Sequence, residues 1–257
     1  MNPSVAGPAT GPVLAATAAL GPVTLDQVLA GAPLLDRTDR KYVLCAGEVA
    51  ELVAALPSGV AALEIDGRRS FSYESVYFDT PDLASYRGAA HGRRRRFKVR
   101  ARTYLDSGSC VLEVKLAGGR GETVKHRTPH PAAEKDRLGP AALAFLSEHA
   151  VGAGLAAALG PTLVTTYQRA TLVDLDAGYR LTIDSGLTCR SPGGESVAAP
   201  GAVVVETKSA LGRSPADRVL WAMGRRPVAI SKYATGLAAL FPSLPANRWA
   251  RTVHVLS

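Results

Sequence analysis

Arg94, Arg96, Lys98, Arg100 and Arg102 occupy alternate positions of one run, Arg94 to Tyr104, with Phe97, Val99 and Ala101 on the other parity. Successive side chains of an extended strand point to opposite faces. The run therefore places five cations on one face and an apolar stripe on the other. Same-face neighbours stand roughly 7 Å apart. At that distance two like charges repel by about 2 kcal/mol at an effective dielectric near 20, and by well under 1 kcal/mol in water. An enclosed face of this kind suits an anionic ligand; an ordinary basic surface is the alternative. On charge alone, deleting one of these arginines should relieve repulsion when no anion is bound.

Three segments have the form acid-x-Lys: Asp39-Arg40-Lys41, Glu113-Val114-Lys115 and Glu206-Thr207-Lys208. Each alone is uninformative. Together with the ladder they combine many cations with a few carboxylates, the mixture phosphoryl transfer needs. Cations clamp phosphate oxygens and stabilise charge in the transition state, while carboxylates hold a divalent metal that bridges phosphates. Magnesium takes one or two protein carboxylates and keeps waters, so a sparse acid set suffices. There is no G-x-x-x-x-G-K-[ST] loop and no evident Ser-His-Asp arrangement. His126 and His130 lie near the basic segments and read as structural.

The 257 residues carry a formal charge of +8, which points to an anionic partner. Aromatic residues are only 6%, few for stacking bases, and Glu113 and Glu206 would repel a bare phosphate backbone. Nucleic acid is not the expected partner. Cys45, Cys110 and Cys189 are odd in number and far apart, which favours free thiols in a reducing, cytoplasmic setting over disulfides or zinc. No stretch approaches the roughly 18 apolar residues of a membrane helix. Residues 1–22, rich in Ala, Gly and Pro, read as a disordered leader. The domain is expected over 23–245, with 246–257 as a tail.

The elements that must position these residues follow from period and punctuation. Strands are expected at Thr38–Leu44, Phe71–Asp79, Arg94–Tyr104, Ser109–Leu116, Glu122–Arg127, Leu163–Leu175, Tyr179–Asp184 and Ala202–Lys208. Turns fall at Thr80-Pro81-Asp82, Asp106-Ser107-Gly108, Gly118-Gly119-Arg120-Gly121 and Asp176-Ala177-Gly178. Helices are expected at Glu48–Leu56, Ala141–His149, Gly152–Leu159, Pro215–Met223 and Lys232–Leu240.

Parity then sorts the strands. Asp39 with Lys41, Glu113 with Lys115, Lys125 with Arg127, Tyr167 with Arg169, Arg180 with Thr182 and Asp184, and Glu206 with Lys208 each share one face, opposite mainly apolar residues. An antiparallel sheet with one solvated face would give this pattern. An α+β fold, in which a closed antiparallel β-barrel has a charged interior and helices packed outside, accounts better for a polar face so rich in Arg, Lys, Asp and Glu.

Arg37-x-x-x-Lys41-Tyr42, Val76-Tyr77-Phe78-Asp79-Thr80, Lys98-x-Arg100-x-Arg102-x-Tyr104, Leu112-Glu113-x-Lys115, Lys125-x-Arg127, Tyr167-x-Arg169, Leu181-Thr182-Ile183-Asp184, Val205-Glu206-x-Lys208 and Ser231-Lys232-Tyr233 occur in this order. The chain thereby resembles, over about residues 30–242, the VTC domains. These are the catalytic domains of the vacuolar transporter chaperone complex and their bacterial relatives, within the triphosphate tunnel metalloenzymes. The superfamily's E-x-E-x-K opening is replaced, with Arg37 and Asp39 in the acidic places. Ala229 stands where the resemblance would allow a further basic residue.

The resemblance implies a tunnel that binds triphosphate or polyphosphate. It implies phosphate-binding and catalytic roles for Lys41, Arg100, Arg102, Lys115, Arg169, Arg180 and Lys232. Lys98, Lys125, Arg127, Tyr167 and Lys208 would join them in binding substrate. Glu206 would be the principal ligand of Mn²⁺ or Mg²⁺, with Glu113 beside it. The expected activity is ATP-dependent polyphosphate polymerisation. The alternatives are an inorganic triphosphatase or polyphosphatase, or a non-catalytic polyphosphate or nucleotide sensor.

Overall fold

Alternating sequence becomes strands whose two faces differ in kind. The computed structural model describes residues 10–30, 38–117, 123–210 and 212–256. Arg37 and the Gly118–Gly121 turn lie outside them. The strands are β1 (Gly21–Val23), β2 (Thr38–Cys45), β3 (Ala61–Leu63), β4 (Phe71–Asp79), β5 (Phe97–Tyr104), β6 (Ser109–Ala117), β7 (Thr123–Pro129), β8 (Gly160–Asp174), β9 (Tyr179–Arg190), β10 (Ser196–Ala199) and β11 (Ala202–Ser209). The helices are α1 (Thr10–Ala18), α2 (Leu25–Ala30), α3 (Ala46–Ala54), α4 (Ala84–Ala90), α5 (Pro140–Leu146), α6 (Ala153–Ala157), α7 (Pro215–Ala222) and α8 (Lys232–Leu240). None is long and apolar enough to cross a membrane.

The chain forms two compact units, and β8 and β9 run through both. The first takes the described residues up to Phe71, with Tyr167–Leu187 and Ala199–Ala229. Here β11 lies between β2 and β9, antiparallel to each, while β3 pairs with β8 and β1 with β3. Tyr42, Leu44, Leu181, Ile183, Val203 and Val205 turn one strand face onto Val49, Leu52 and Val53 of α3 and Ala216 and Leu220 of α7. Ser214 caps α7: its hydroxyl accepts from Asp217 N at 3.1 Å, and Pro215 follows at the first helical position. Asp217 in turn accepts from the Tyr42 and Thr207 hydroxyls, both at 2.7 Å, which locks α7 to the sheet.

The second unit holds Ser72–Thr166, Thr188–Ala198 and the chain from Ile230 onward. β4, β5, β6 and β7 form an antiparallel meander in that order. Val76, Phe78, Val99, Ala101, Leu112 and Val114 share its apolar face and pack on Ala142 and Leu146 of α5, Val151, and Ala156 of α6. The helices cover the apolar parity, as amphipathic strands require.

Four expectations are corrected. The hydrogen-bonded order ends at β2 and at β7, and no pairing joins them among the described residues. The fold is therefore α+β with a large, mainly antiparallel sheet, and closure into a barrel is not seen. Parity fixes the face of each residue, whereas closure depends on strand number and shear. The supposed leader contains α1, with Val13 and Thr17, four residues apart, both buried. The Arg69 guanidinium donates to the carbonyls of Thr17 (2.8 Å), Ala18 (3.1 Å) and Leu20 (2.8 Å), satisfying acceptors at the helix end. The supposed tail is anchored too: Trp249 and Leu256 are buried, and Trp249 packs against Tyr86 with ring centres 5.5 Å apart. Finally, β5 begins at Phe97, so Arg94 lies outside the strand and is exposed. The five-cation ladder reduces to Lys98, Arg100 and Arg102.

Candidate functional site

On the face of the first unit away from α3 and α7, register builds charged rows across three strands. Glu206 on β11 lies opposite Lys41 on β2 and Thr182 on β9. Lys208 lies opposite Asp39 and Arg180. Residues directly opposite share a face and meet. Lys208 Nζ stands 2.9 Å from Glu206 Oε1. Burial lowers the Lys208 pKa to about 8, against the pull of Glu206 toward the charged form. Burial disfavours the Glu206 carboxylate, but Lys208, Lys41 and Arg169 outweigh it and hold its pKa well below the usual range. Arg169 on β8 makes a bidentate pair with Asp184 on β9, at 2.6 and 2.8 Å, and stands over the Tyr167 ring at 5.3 Å. The first cluster thus contains Lys41, Tyr167, Arg169, Arg180, Glu206 and Lys208.

The second unit builds a denser cluster on the face away from α5 and α6. Lys98, Lys115 and Lys125 lie directly opposite one another on β5, β6 and β7. The neighbouring row is Tyr77, Arg100, Glu113 and Arg127. Glu113 is buried at its centre. Its Oε2 lies 2.5 Å from an Arg100 Nη and 3.9 Å from Arg102, and its Oε1 lies 3.6 Å from Lys125 Nζ. Burial disfavours the Glu113 carboxylate, yet Arg100, Arg102, Lys125 and Lys115 together hold its pKa far below the carboxylate range. Burial also lowers the Lys125 pKa, opposed by Glu113 and reinforced by Arg102, Arg127 and Arg100. Arg100 is 9% exposed. The charged face at Arg100 and Glu113 is therefore no solvated sheet surface.

Lys232 is the first residue of α8, and the start of that helix lies against this second group. The preceding Ser231 caps the helix, and its hydroxyl accepts from Lys98 Nζ at 2.9 Å. The next residue, Tyr233, donates its hydroxyl to buried Asp79 and stacks on Tyr77 at 5.1 Å. Arg100 in turn donates to the Tyr77 hydroxyl at 3.3 Å. Asp79 also accepts from the backbone N–H groups of Ser85 and Tyr86, in the first turn of α4. In the sequence Asp79 stands out only as the end of an expected strand, and Asp184 only by the face it takes on its own strand. Asp184 was nearly recoverable: it and Arg169 lie seven and eight residues from the middle of the expected Asp176-Ala177-Gly178 turn. Nothing in a linear sequence pairs Asp79 with Tyr233.

The donor sets differ in their fitness for a metal. Among the described residues no three acids, histidines or cysteines come together. Glu206 has one oxygen on Lys208, so its carboxylate fits an ion only as one ligand among waters and other oxygens. Glu113 does not fit, because both its oxygens face cations.

Nothing among curated proteins matches the chain closely enough to count as a relative. Solved structures of similar architecture include a proposed adenylate cyclase from Vibrio parahaemolyticus, 11% identical with a TM-score of 0.42 over 73% of this chain and 86% of that one. They also include the PH1819 protein from Pyrococcus horikoshii OT3, 10% identical with a TM-score of 0.41 over 74% and 88% of the two chains. A third is the proposed adenylyl cyclase HpAC1 from Hippeastrum, described as having a dominant triphosphatase activity. It is 14% identical with a TM-score of 0.46, over 82% of this chain and 98% of that one. The model of the VTC domain matches residues 36–241, and the chain belongs to the VTC domain family.

Proposed function

We propose that this protein is a metal-dependent polyphosphate polymerase that moves the γ-phosphoryl group of ATP onto phosphate or a growing polyphosphate chain. The observation that carries the reading is the row Lys98, Lys115 and Lys125, three like charges directly opposite one another. Such a row opposes folding, and a bound polyanion turns that repulsion into attraction. Family membership supports the same reading.

The chemistry asks little covalent work of the protein. A terminal oxygen of the acceptor bonds to the γ-phosphorus, the bond to the β–γ bridging oxygen breaks, and ADP leaves with the electron pair. Within the second unit Arg100, Arg102, Lys115 and Lys232 are assigned to phosphate oxygens and to the charge that spreads over them; within the first unit Lys41, Arg169 and Arg180 are assigned the same role. Lys98, Lys125, Arg127, Tyr167 and Lys208 position the chain. Guanidinium forks orient phosphates bidentately, so Arg100, Arg102 and Arg169 set the geometry that ammonium groups only attract. Glu206 alone is assigned to Mn²⁺ or Mg²⁺, which would neutralise phosphate charge when bound. Glu113 is assigned as counter-ion of the ladder. Cys45, Cys110 and Cys189 are free thiols, which supports a cytoplasmic location.

A second reading is an inorganic triphosphatase, with water in place of the acceptor phosphate. Ala229 favours it, because one cation fewer near Ser231-Lys232 weakens the hold on an acceptor chain. Incubation with ATP and Mn²⁺, followed by gel detection of polymer and assay of free phosphate, separates the two. Polymer supports the polymerase, orthophosphate alone supports the triphosphatase, and neither product leaves a binding protein.

A further inference from the structure

A second concentration of arginine lies on the other side of β2. Arg40 alternates with Asp39 and Lys41 and so takes the opposite strand face, where α7 packs. Trp221 of α7 receives three guanidinium groups: Arg213 and Arg226 at 5.7 Å from its ring centre, and Arg40 at 6.0 Å. Arg40 donates to the Gly212 carbonyl and to Asp217 Oδ2 at 3.3 Å, and Arg226 donates to the Trp221 carbonyl at 3.1 Å. Arg225 pairs with Glu48, and exposed Arg218 stands one turn before Trp221. Five guanidiniums thus face two carboxylates, Asp217 and Glu48. Arg213 and Arg218 have no carboxylate in ion-pair range among the described residues.

We propose that the Arg213–Trp221–Arg226 face is a docking site for a linear phosphate polymer, on the strand face opposite Lys41 and Glu206. A guanidinium drawn to an indole ring is restrained by it, and the N–H groups that Arg213 and Arg226 keep beyond the one Arg226 gives to the Trp221 carbonyl remain to meet phosphate oxygens. A polyphosphate offers anionic oxygens on every unit, so one chain engages several forks at once. Single-stranded nucleic acid is disfavoured, because its bases need open aromatic faces and this indole is already crowded by guanidiniums. A membrane surface is disfavoured because the exposed large apolar residues among the described residues, Leu14, Leu25, Leu29, Leu105, Val124 and Leu175, all lie outside α7. The choice of polyphosphate rests on the proposed function; the excess of charge around Trp221 does not.

The test compares wild type, an Arg213→Glu/Arg226→Glu variant and an Arg137→Glu control, Arg137 being a well-exposed residue of the other unit. Binding of long-chain polyphosphate, tripolyphosphate and single-stranded DNA is measured across a salt series. The double variant should bind the long chain at least about tenfold more weakly, with a salt slope shallower by about two, one for each phosphate no longer gripped. Tripolyphosphate affinity should not change. Long-chain binding should also alter indole emission in wild type, and that change should vanish in Trp221→Phe, where Trp249 remains as internal reference. Equal long-chain binding by wild type and the double variant overturns the proposal, as does an equal loss in Arg137→Glu. DNA held as tightly through the same arginines overturns it in favour of a nucleic-acid site. Failure of wild type to bind tripolyphosphate would count against the proposed function alone, since the long-chain arm reads this face separately. If the charge reversals prevent folding, Arg213→Gln/Arg226→Gln makes the same comparison.

Discussion

Arg169 and Asp184 form a bidentate pair at 2.6 and 2.8 Å across the β8–β9 hairpin, with the carboxylate fully buried. The carboxylate orients a guanidinium that the proposed function needs for phosphate. A buried charge left without its partner costs about 3–5 kcal/mol. Arg169→Ala, which takes that partner from the buried Asp184, should therefore lose that much stability in urea unfolding. The Arg169→Ala/Asp184→Ala double variant should lose less than the sum of the singles, with a coupling of about 1–3 kcal/mol. Strict additivity would show that the pair holds nothing in place.

Glu206→Gln keeps side-chain volume and removes the charge. Metal-dependent turnover should fall to background in saturating Mn²⁺, while far-UV circular dichroism stays that of wild type. Glu113→Gln should behave differently: the Mn²⁺ concentration for half-maximal activity should stay unchanged, because both Glu113 oxygens already face cations. A raised Mn²⁺ requirement in Glu113→Gln would return that carboxylate to the metal.

The faces of the strands were legible in the sequence because parity needs only neighbours two residues apart. Lys41, Glu206, Arg180 and Lys208 fall on one strand face, and Arg100, Glu113 and Arg127 on another, as alternation requires. The boundaries of β4 and α8 were also legible, since Asp79 precedes Thr80-Pro81 and Ser231 is a capping residue. The helix α1 was not. Its burial rests on a few side chains such as Val13 and Thr17, and its C-terminal end is closed by Arg69, far along the chain. The ladder was overextended because Arg94 and Arg96 continue the right parity beyond the point where strand pairing begins. Partner choice was least legible of all. Which carboxylate meets Arg100 is set by the β5–β6 register, and register is a property of two strands at once.

Asp217 predicts an acid-sensitive contact between α7 and the sheet. Burial disfavours its carboxylate, but hydrogen bonds from the Tyr42 and Thr207 hydroxyls and from the Ser214 N–H and hydroxyl outweigh this and lower its pKa. A lowered folded-state pKa gives stability that is present above the unfolded value, about 3.9 for Asp. That stability is lost as pH falls through the folded value. Asp217→Asn should be less stable than wild type at pH 7, and the gap should narrow steadily in acid. A gap independent of pH would mean that shape, not charge, holds α7.

Arg100 is the sharpest test of the ladder. Repulsion alone would make Arg100→Ala more stable without ligand, but Arg100 is the nearest cation to buried Glu113. Removing it leaves Glu113 with Arg102 at 3.9 Å and Lys125 at 3.6 Å, so the ligand-free protein should lose about 3 kcal/mol. The variant should also lose charge-assisted hydrogen bonds to phosphate worth roughly 1.5–3 kcal/mol. Tripolyphosphate should then raise its melting temperature much less than that of wild type. Arg100→Ala/Glu113→Gln separates the two effects: removing the orphaned carboxylate should restore much of the ligand-free stability but not the response to tripolyphosphate. Thermal-shift titrations of the three proteins at two salt concentrations measure both quantities. If Arg100→Ala responds to tripolyphosphate as wild type does, Arg100 only neutralises Glu113, and the phosphate-binding role assigned to it is wrong.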